Sequence, residues 1–197
     1  MTDRFSNLTK VPNEPAAKLL AQHNLSLDTV LTAPASASIE TVLNELAKTE
    51  DAGMDMLQLM AAILPVRERV WWSCLAARDI VGDGPENETR CLTHSEAWVF
   101  RPTEENRELA ITSIEHADMD DVTVHCATGV QYCNDTLGTG DLAQMPAPPG
   151  GGAIAALVMN LESLATKKDI WDEHLQVLID RALDIARGGN GKSGKNT

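Results

Sequence analysis

Cysteine and histidine can serve both as metal ligands and as catalytic groups, so we consider these residues of the sequence first. The chain has four cysteines and five histidines, and His125, Cys126 and Cys133 form their one close group. Neither a Cys-x-x-Cys nor a His-x-x-x-His pair is present, although metal sites commonly use such spacing. Reduced thiols that pack on helix faces explain the cysteines. We therefore expect no metal and no cofactor.

Acid–base catalysis is the second chemistry that the residue types allow. His94 and Glu96 are close in sequence, as are Glu173 and His174. Positions one or two apart on a helix point about 100° or 200° apart, so neither pair can act on a single target. An enzyme would therefore need a site assembled from separate parts of the chain. Its candidate residues are His94, Glu96, Arg101 and His125.

Common catalytic motifs do not support such a site. The sequence contains neither the nucleophile motif Gly-x-Ser-x-Gly nor the zinc motif His-Glu-x-x-His. Residues 186–193, ARGGNGKS, match a relaxed phosphate-loop pattern with alanine in place of the first glycine. A phosphate loop needs a strand before it and a helix after it, whereas here a helix is predicted before the motif. We therefore expect no nucleotide site at this position.

Large aromatic side chains are candidates for binding another protein, because they bury much area at a low cost in side-chain entropy. Trp71 and Trp72 point about 100° apart on a helix, so they cannot both face the same core layer. Either both pack inside the domain, which is the more common case, or one of them is a binding anchor. The candidate protein-binding residues are Trp71, Trp72, Trp98, Tyr132, Leu137 and Asp141.

The charge distribution argues against nucleic acid and membrane partners. The formal net charge is −13, which repels phosphate backbones and anionic lipid. No stretch approaches the roughly 18 to 20 apolar residues of a membrane span, and the first residues lack the apolar core of a signal peptide. We therefore expect no membrane insertion and a cytoplasmic location.

Residues 104–121 are the most acidic region, with seven acids against one base, Arg107. They form either a solvated helix face that aids solubility or a docking patch for a basic partner. The acids are Glu104, Glu105, Glu108, Glu115, Asp118, Asp120 and Asp121.

The elements that position these residues are predicted to be helices. Residues 120–134 predict a weaker helix, because β-branched residues and Gly129 interrupt it and no second strand exists to pair with it. Residues 136–152, rich in glycine and proline, predict an irregular loop that two helices follow. Helix 65–81 is expected to be central and the most buried. Apolar spacing predicts helices over 39–46, with Ser36 or Ser38 as N-cap, 54–64, 65–81, 86–100, 104–117 and 170–187.

The predicted fold is therefore all-α, a compact multi-helix bundle or a small helical array of about seven to nine helices. Residues 13–187 are expected to form a single helical domain. A flexible N-terminal tail, 1–12, and a disordered, glycine-rich C-terminal tail, 188–197, are expected to flank it.

Residues 64–78, LPVRERVWWSCLAAR, resemble the Leu-Pro-x-Arg-x-x-Val-Trp-Trp signature of an uncharacterised, all-helical family of Gram-negative bacterial proteins, a domain of unknown function. Similar landmarks follow in order at residues 97–99, 102–107, 146–149 and 183–188. The resemblance implies a helical fold and a bacterial source, transfers no catalytic residue, and implies an association with secretion-type gene clusters. Before the proline cluster the chain departs from the family, because Gln131-Tyr132-Cys133-Asn134 replaces a more aromatic stretch that contains Gly-Ser.

The sequence is therefore compatible with three functions. The first is a non-enzymatic interaction or adaptor protein, accessory to a secretion-type assembly, with a protein partner docked near Trp71 or Trp72 or on the loop 136–152. The second is an enzyme with the scattered residues named above. The third is a structural subunit that self-associates through the exposed face of its last helix.

Overall fold

The computed structural model describes residues 4–192, and all regular secondary structure in that range is helical. The all-α prediction is therefore confirmed. None of the described helices is long and apolar enough to cross a bilayer. The α-helices are α1 (Ala16–Gln22), α2 (Ile39–Leu46), α3 (Gly53–Ile63), α4 (Val66–Val81), α5 (Arg90–Phe100), α6 (Glu104–Glu115), α7 (Val124–Gln131), α8 (Gly151–Ala165) and α9 (Trp171–Ala186).

The described chain divides into two compact units. The first unit holds the residues up to Pro65 and those from Asp172 onward, and the second is Val66–Trp171. Helices α1, α2 and α3 therefore belong to the first unit together with nearly all of α9. Helices α4 to α8 belong to the second unit, which also carries the predicted protein-binding residues.

The first unit follows the sequence pattern closely in α2. Of the two predicted N-cap residues, Ser36 and Ser38, the structure uses Ser38. Its hydroxyl accepts a hydrogen bond from the Thr41 N–H. The predicted apolar face of α2 is buried. Helix α1 was not predicted, because seven residues after Pro15 are too few to show a clear helical period.

Residues 4–10, within the predicted N-terminal tail, are hydrogen-bonded to α9. The Phe5 side chain is buried, and the Lys10 N–H donates to the Ala186 carbonyl at 2.9 Å. At the other end, Gly188 adopts a positive φ of 93° after α9, and the Gly191 N–H donates to the Asp184 carboxylate. Residues 1–3 and 193–197 of the predicted tails lie outside the described residues.

The second unit is built around α4, which packs against α5, α7 and α8. Its buried side chains include Val70, Trp72 and Cys74, as predicted for a central helix. The prediction that it is the most buried helix is wrong, because 8 of the 11 residues of α3 are buried against 8 of the 16 residues of α4. Proline at position 65 directly precedes α4 and lacks the N–H that an interior helical position would need.

Two helices of the second unit start later than predicted. Helix α5 begins at Arg90, not at residue 86, because the Thr89 hydroxyl caps it by accepting the Leu92 N–H. Helix α7 begins at Val124, not at residue 120, because the Asp121 carboxylate accepts the N–H and hydroxyl of Thr123 and holds a turn there.

Candidate protein-binding surface

The predicted tryptophans occupy two different environments. Trp72 is 0% exposed and Trp98 is also buried, so both belong to the packed interior. Trp71 is half-buried and packs against Phe100, with 5.6 Å between the ring centroids and 60° between the ring planes. Trp71 is therefore the member of the Trp71–Trp72 pair that reaches the surface, and we name Trp71 and Phe100 the aromatic pair.

Phe100 is the main surface residue that the sequence reasoning missed. Its side chain is 71% exposed, although the other phenylalanine of the chain, Phe5, is buried. Phe100 lies at the C-terminal end of α5, where apolar periodicity no longer says which side faces the core. The one sequence signal for an exposed Phe100 was its position at a predicted helix end, directly before Arg101 and Pro102.

The backbone beneath Phe100 is held by side chains from two neighbouring helices. Arg67 of α4 donates from Nε to the Val99 carbonyl at 2.6 Å. Asn106 of α6 donates from Nδ2 to the Arg101 carbonyl at 2.7 Å and to the Ala97 carbonyl at 3.4 Å. The Val99 carbonyl is among those that a helix leaves without intrahelical partners at its C-terminal end, whereas the Ala97 and Arg101 carbonyls also accept the backbone N–H groups of Arg101 and Thr103. Phe100 is thus presented from a fixed backbone.

The other three predicted residues belong to a separate segment, the loop after α7. The Tyr132 ring covers the start of α8 so closely that a Cβ at Gly151 would lie 2.8 Å from the Tyr132 Cδ2. Leu137 is half-buried, and its N–H donates to the Met145 carbonyl. Asp141 is exposed. The six predicted residues therefore divide between the α4–α5 pair and this loop.

The base of the loop is tied together by a buried arginine. Arg107 is 2% exposed, and its Nη2 donates to the Gln131 carbonyl at 2.7 Å and to the Thr136 hydroxyl at 2.9 Å. Thr136 in turn pairs with Pro146 in an antiparallel bridge. Within the predicted loop 136–152, residues Gly140–Gln144 form a 3₁₀ helix and α8 begins at Gly151. Nothing in the sequence showed that Arg107 closes the base of this loop.

The candidates for a scattered catalytic site do not bond to one another in the described residues. Glu96 is bound by Arg78, at 2.9 Å and 2.7 Å, and Arg101 is an exposed residue that ends α5. Burial lowers the pKa of His125, and the nearby Glu162 carboxylate opposes this. Within residues 4–192, no hydrogen bond or ion pair joins two of His94, Glu96, Arg101 and His125.

The cysteines are thiols in the described structure, and three of them are buried. Burial, together with a hydrogen bond that the Cys74 thiol donates to Cys126, raises the pKa of Cys74 well above its ordinary value. A protonated, enclosed thiol is a weak nucleophile. In the part of the chain that the structure describes, no group of three or more His, Cys, Asp or Glu could hold a metal ion.

An open cavity of about 650 Å³ lies where α4 ends and α5 begins. Its walls combine apolar residues such as Ile80 and Val122 with acids that include Glu88 and Asp118. His116 also lines it, but none of the four catalytic candidates does. This cavity therefore does not collect the four catalytic candidates into one site.

Family comparison decides where the chain belongs. The sequence model of the Family of unknown function (DUF6931) matches residues 42–186, well over half of the chain. The chain belongs to this family. The matched range includes both the aromatic pair and the loop closed by Arg107, so these features lie inside the family region. No curated protein and no solved structure matches the chain.

Proposed function

We propose that this protein is a non-enzymatic protein-binding module, an adaptor that docks a protein partner on the aromatic pair. The observation that carries the proposal is the 71% exposure of Phe100, packed on Trp71. Exposed clusters of large apolar side chains mark interaction sites in soluble proteins more often than isolated ones do. Aromatic residues are also enriched among the few residues that dominate binding energy.

The surroundings of Phe100 support a binding role over incidental exposure. Seven aromatic residues occur in the whole chain, so a contacting aromatic pair with one exposed member uses a scarce residue type. The Arg67 and Asn106 hydrogen bonds hold the backbone at the end of α5. Because this backbone is already held in place, its ordering adds little to the entropy cost when a partner covers Phe100.

The cellular setting of the adaptor is a further part of the proposal. We place it in the cytoplasm of a bacterium, as an accessory of a secretion-type assembly. The support for this setting is the resemblance of residues 64–78 to the Trp-Trp signature. Candidate partners are therefore the cytoplasmic components of such an assembly.

The test compares the wild-type protein with Phe100→Ser. Both are tagged at native expression level in the source cells, captured, and examined by mass spectrometry for co-purifying proteins. Val30→Ser is the matched control, because Val30 is 93% exposed and lies in the other compact unit. We expect one stoichiometric protein that wild type and V30S retain and F100S loses.

Calorimetric titration with that purified protein then measures the affinity directly. We expect Phe100→Ser to weaken binding at least about 30-fold, the loss typical of an interface hot spot. Circular dichroism should show unchanged melting of F100S, since the side chain is on the surface. Equal affinity of F100S and wild type, or the lack of any Phe100-dependent partner, would overturn the proposed function.

A further inference from the structure

A second surface of the Val66–Trp171 unit combines exposed apolar side chains with acidic ones. In the loop closed by Arg107, Leu142 is 44% and Met145 is 49% exposed. Leu142 and Ile111 of α6 flank Gly138, where a Cβ would lie 3.3 Å from Leu142 and 3.9 Å from Ile111. We name Ile111, Leu142 and Met145 the loop surface.

Acidic side chains border the loop surface along α6. Glu104, Glu108, Ile111 and Glu115 are spaced by four, three and four residues, so they share one stripe of the helix. All three glutamates are exposed. Asp141, directly before Leu142, is also exposed and adds an acid from the loop. The apolar side chains thus sit within a border of carboxylates.

No exposed lysine or arginine in this stretch offsets these carboxylates. Arg107 is the one Lys or Arg between residues 104 and 166, and it is 2% exposed. Its guanidinium is engaged with the Gln131 carbonyl, the Thr136 hydroxyl and Glu104. Arg107, the one Lys or Arg of this stretch, therefore bonds to the base of the loop and does not reach the surface.

We infer that the loop surface is a second docking site, and that it takes an amphipathic segment of a partner protein rich in lysine and arginine. The apolar face of the segment would cover Leu142, Met145 and Ile111. Its cations would meet the surrounding carboxylates, because partners match in electrostatic potential across an interface. Met145 suits this role, since an unbranched thioether side chain adapts to different apolar shapes.

The fixed base of the loop supports binding without a large rearrangement. The bridge between Thr136 and Pro146 and the bond from the Ala147 N–H to the Asp135 carbonyl hold the two ends together. The tip is therefore presented on a closed frame, which reduces the entropy that a partner must offset. This inference does not depend on Phe100, and an adaptor with both surfaces could hold two partners at once.

The test selects binders from a random peptide library displayed on phage, with the full-length protein as bait. Peptides are counter-selected against the Leu142→Ser, Met145→Ser double variant, whose changed residues are exposed. We expect the surviving peptides to be enriched in lysine and arginine alternating with apolar residues. Neutral or acidic survivors, or no peptide that distinguishes the double variant, would overturn the inference.

Calorimetry with the best synthetic peptide then separates the loop surface from general attraction to an acidic protein. Glu108→Gln with Glu115→Gln should weaken binding at least about tenfold, and binding should fall as salt rises, because surface charges are screened. Glu40→Gln with Glu173→Gln is the matched control, since it removes two exposed glutamates of the other unit. Equal loss in both double variants would overturn the inference.

The same peptide also tests independence from the aromatic pair. We expect Phe100→Ser to bind it with wild-type affinity. If F100S binds the peptide but keeps its cellular partner, the proposed function fails and the loop surface stands. If F100S loses the cellular partner and the peptides do not depend on Leu142 and Met145, the proposed function stands and the loop surface fails as a docking site.

Discussion

His125 is the titratable residue whose environment has the clearest consequence for stability. It is half-buried on α7, and burial lowers its pKa below the ordinary value near 6.5. As the pH falls through about 6.5, the unfolded chain binds this proton before the folded chain does. The free energy of unfolding therefore decreases on acidification, until the pH is below the folded pKa.

Replacing this histidine should flatten the pH dependence. We expect His125→Gln to lose less unfolding free energy than wild type between about pH 7.5 and pH 5, measured by urea denaturation at both values. His116→Gln, at an exposed position, is the matched control. An identical acid-induced loss in H125Q and wild type would contradict the assignment of this effect to His125.

At the level of single residues, the sequence predicted the relative directions of side chains on a helix better than it predicted which of them are buried. That Trp71 and Trp72 point apart follows from helix geometry alone. Which of them faces the interior depends on how α5, α7 and α8 pack around α4, and that packing is not written in the local sequence. Phe100 was missed for the same reason, since its exposure is set by the place where α5 ends.

At the scale of elements, the loop between α7 and α8 depends on one side chain from α6. Arg107→Met keeps the apolar stem but removes the donors to Gln131 and Thr136. The part-buried Gln131 carbonyl would then lose its arginine donor, and the Thr136 hydroxyl would keep only its bond to the Gly138 carbonyl. We therefore expect the unfolding free energy to drop by about 1–3 kcal/mol. Amide hydrogen exchange at Leu137, Met145 and Ala147, whose N–H groups bond across the loop base or within it, should accelerate.

The matched control for this prediction is Glu104→Gln. Glu104 approaches Arg107 at 3.5 Å, but its side chain is 59% exposed, and exposed ion pairs contribute little. E104Q should therefore leave both stability and loop exchange close to wild type. If R107M exchanges at the wild-type rate in this loop, the closure of the loop base does not depend on Arg107.

Helix boundaries were predicted well where a capping side chain is followed by a clear apolar period. Ser38 and Thr103 both cap helices that begin at the next residue, at Ile39 and Glu104. The start of α5 was predicted too early, because Pro85 and the acids after it also suit a first helical turn. Pro85–Asn87 forms a short 3₁₀ turn instead, and the cap that starts α5 is Thr89.

At the scale of the whole molecule, charge is the dominant property. A net charge of −13 means that carboxylates repel one another in the folded state more than in the expanded unfolded chain. Added salt screens this repulsion, so we expect sodium chloride between about 0.02 and 0.5 M to raise the midpoint of thermal unfolding by a few degrees. Differential scanning calorimetry measures this shift.

A constant or falling midpoint would contradict the dominance of self-repulsion. It would mean that screening of attractive pairs, such as Arg4 with Asp180 and Arg78 with Glu96, outweighs the repulsion. A variant in which Glu105 and Asp120, both exposed acids of the most negative region, are changed to Gln and Asn should show a smaller salt effect.

The fold class was predictable for this chain, whereas the two proposed docking surfaces were predictable only in part, through Trp71 and the loop 136–152. Helical periodicity and capping residues are local signals, and they define most of α2 to α9. The aromatic pair joins α4 to the end of α5, and the loop surface joins α6 to a segment about 30 residues later in the chain. Surfaces built from such distant residues appear only when the helices are packed.

The way α5 ends has a consequence for how this protein can change over evolutionary time. The Val99 and Arg101 carbonyls accept hydrogen bonds from the Arg67 and Asn106 side chains, and none of these bonds involves the Phe100 side chain. In the adaptor that we propose, substitutions at Phe100 would therefore alter the docking surface while the end of α5 persists. Recognition and architecture would then depend on separate positions, so that a single mutation could change the partner of the proposed adaptor.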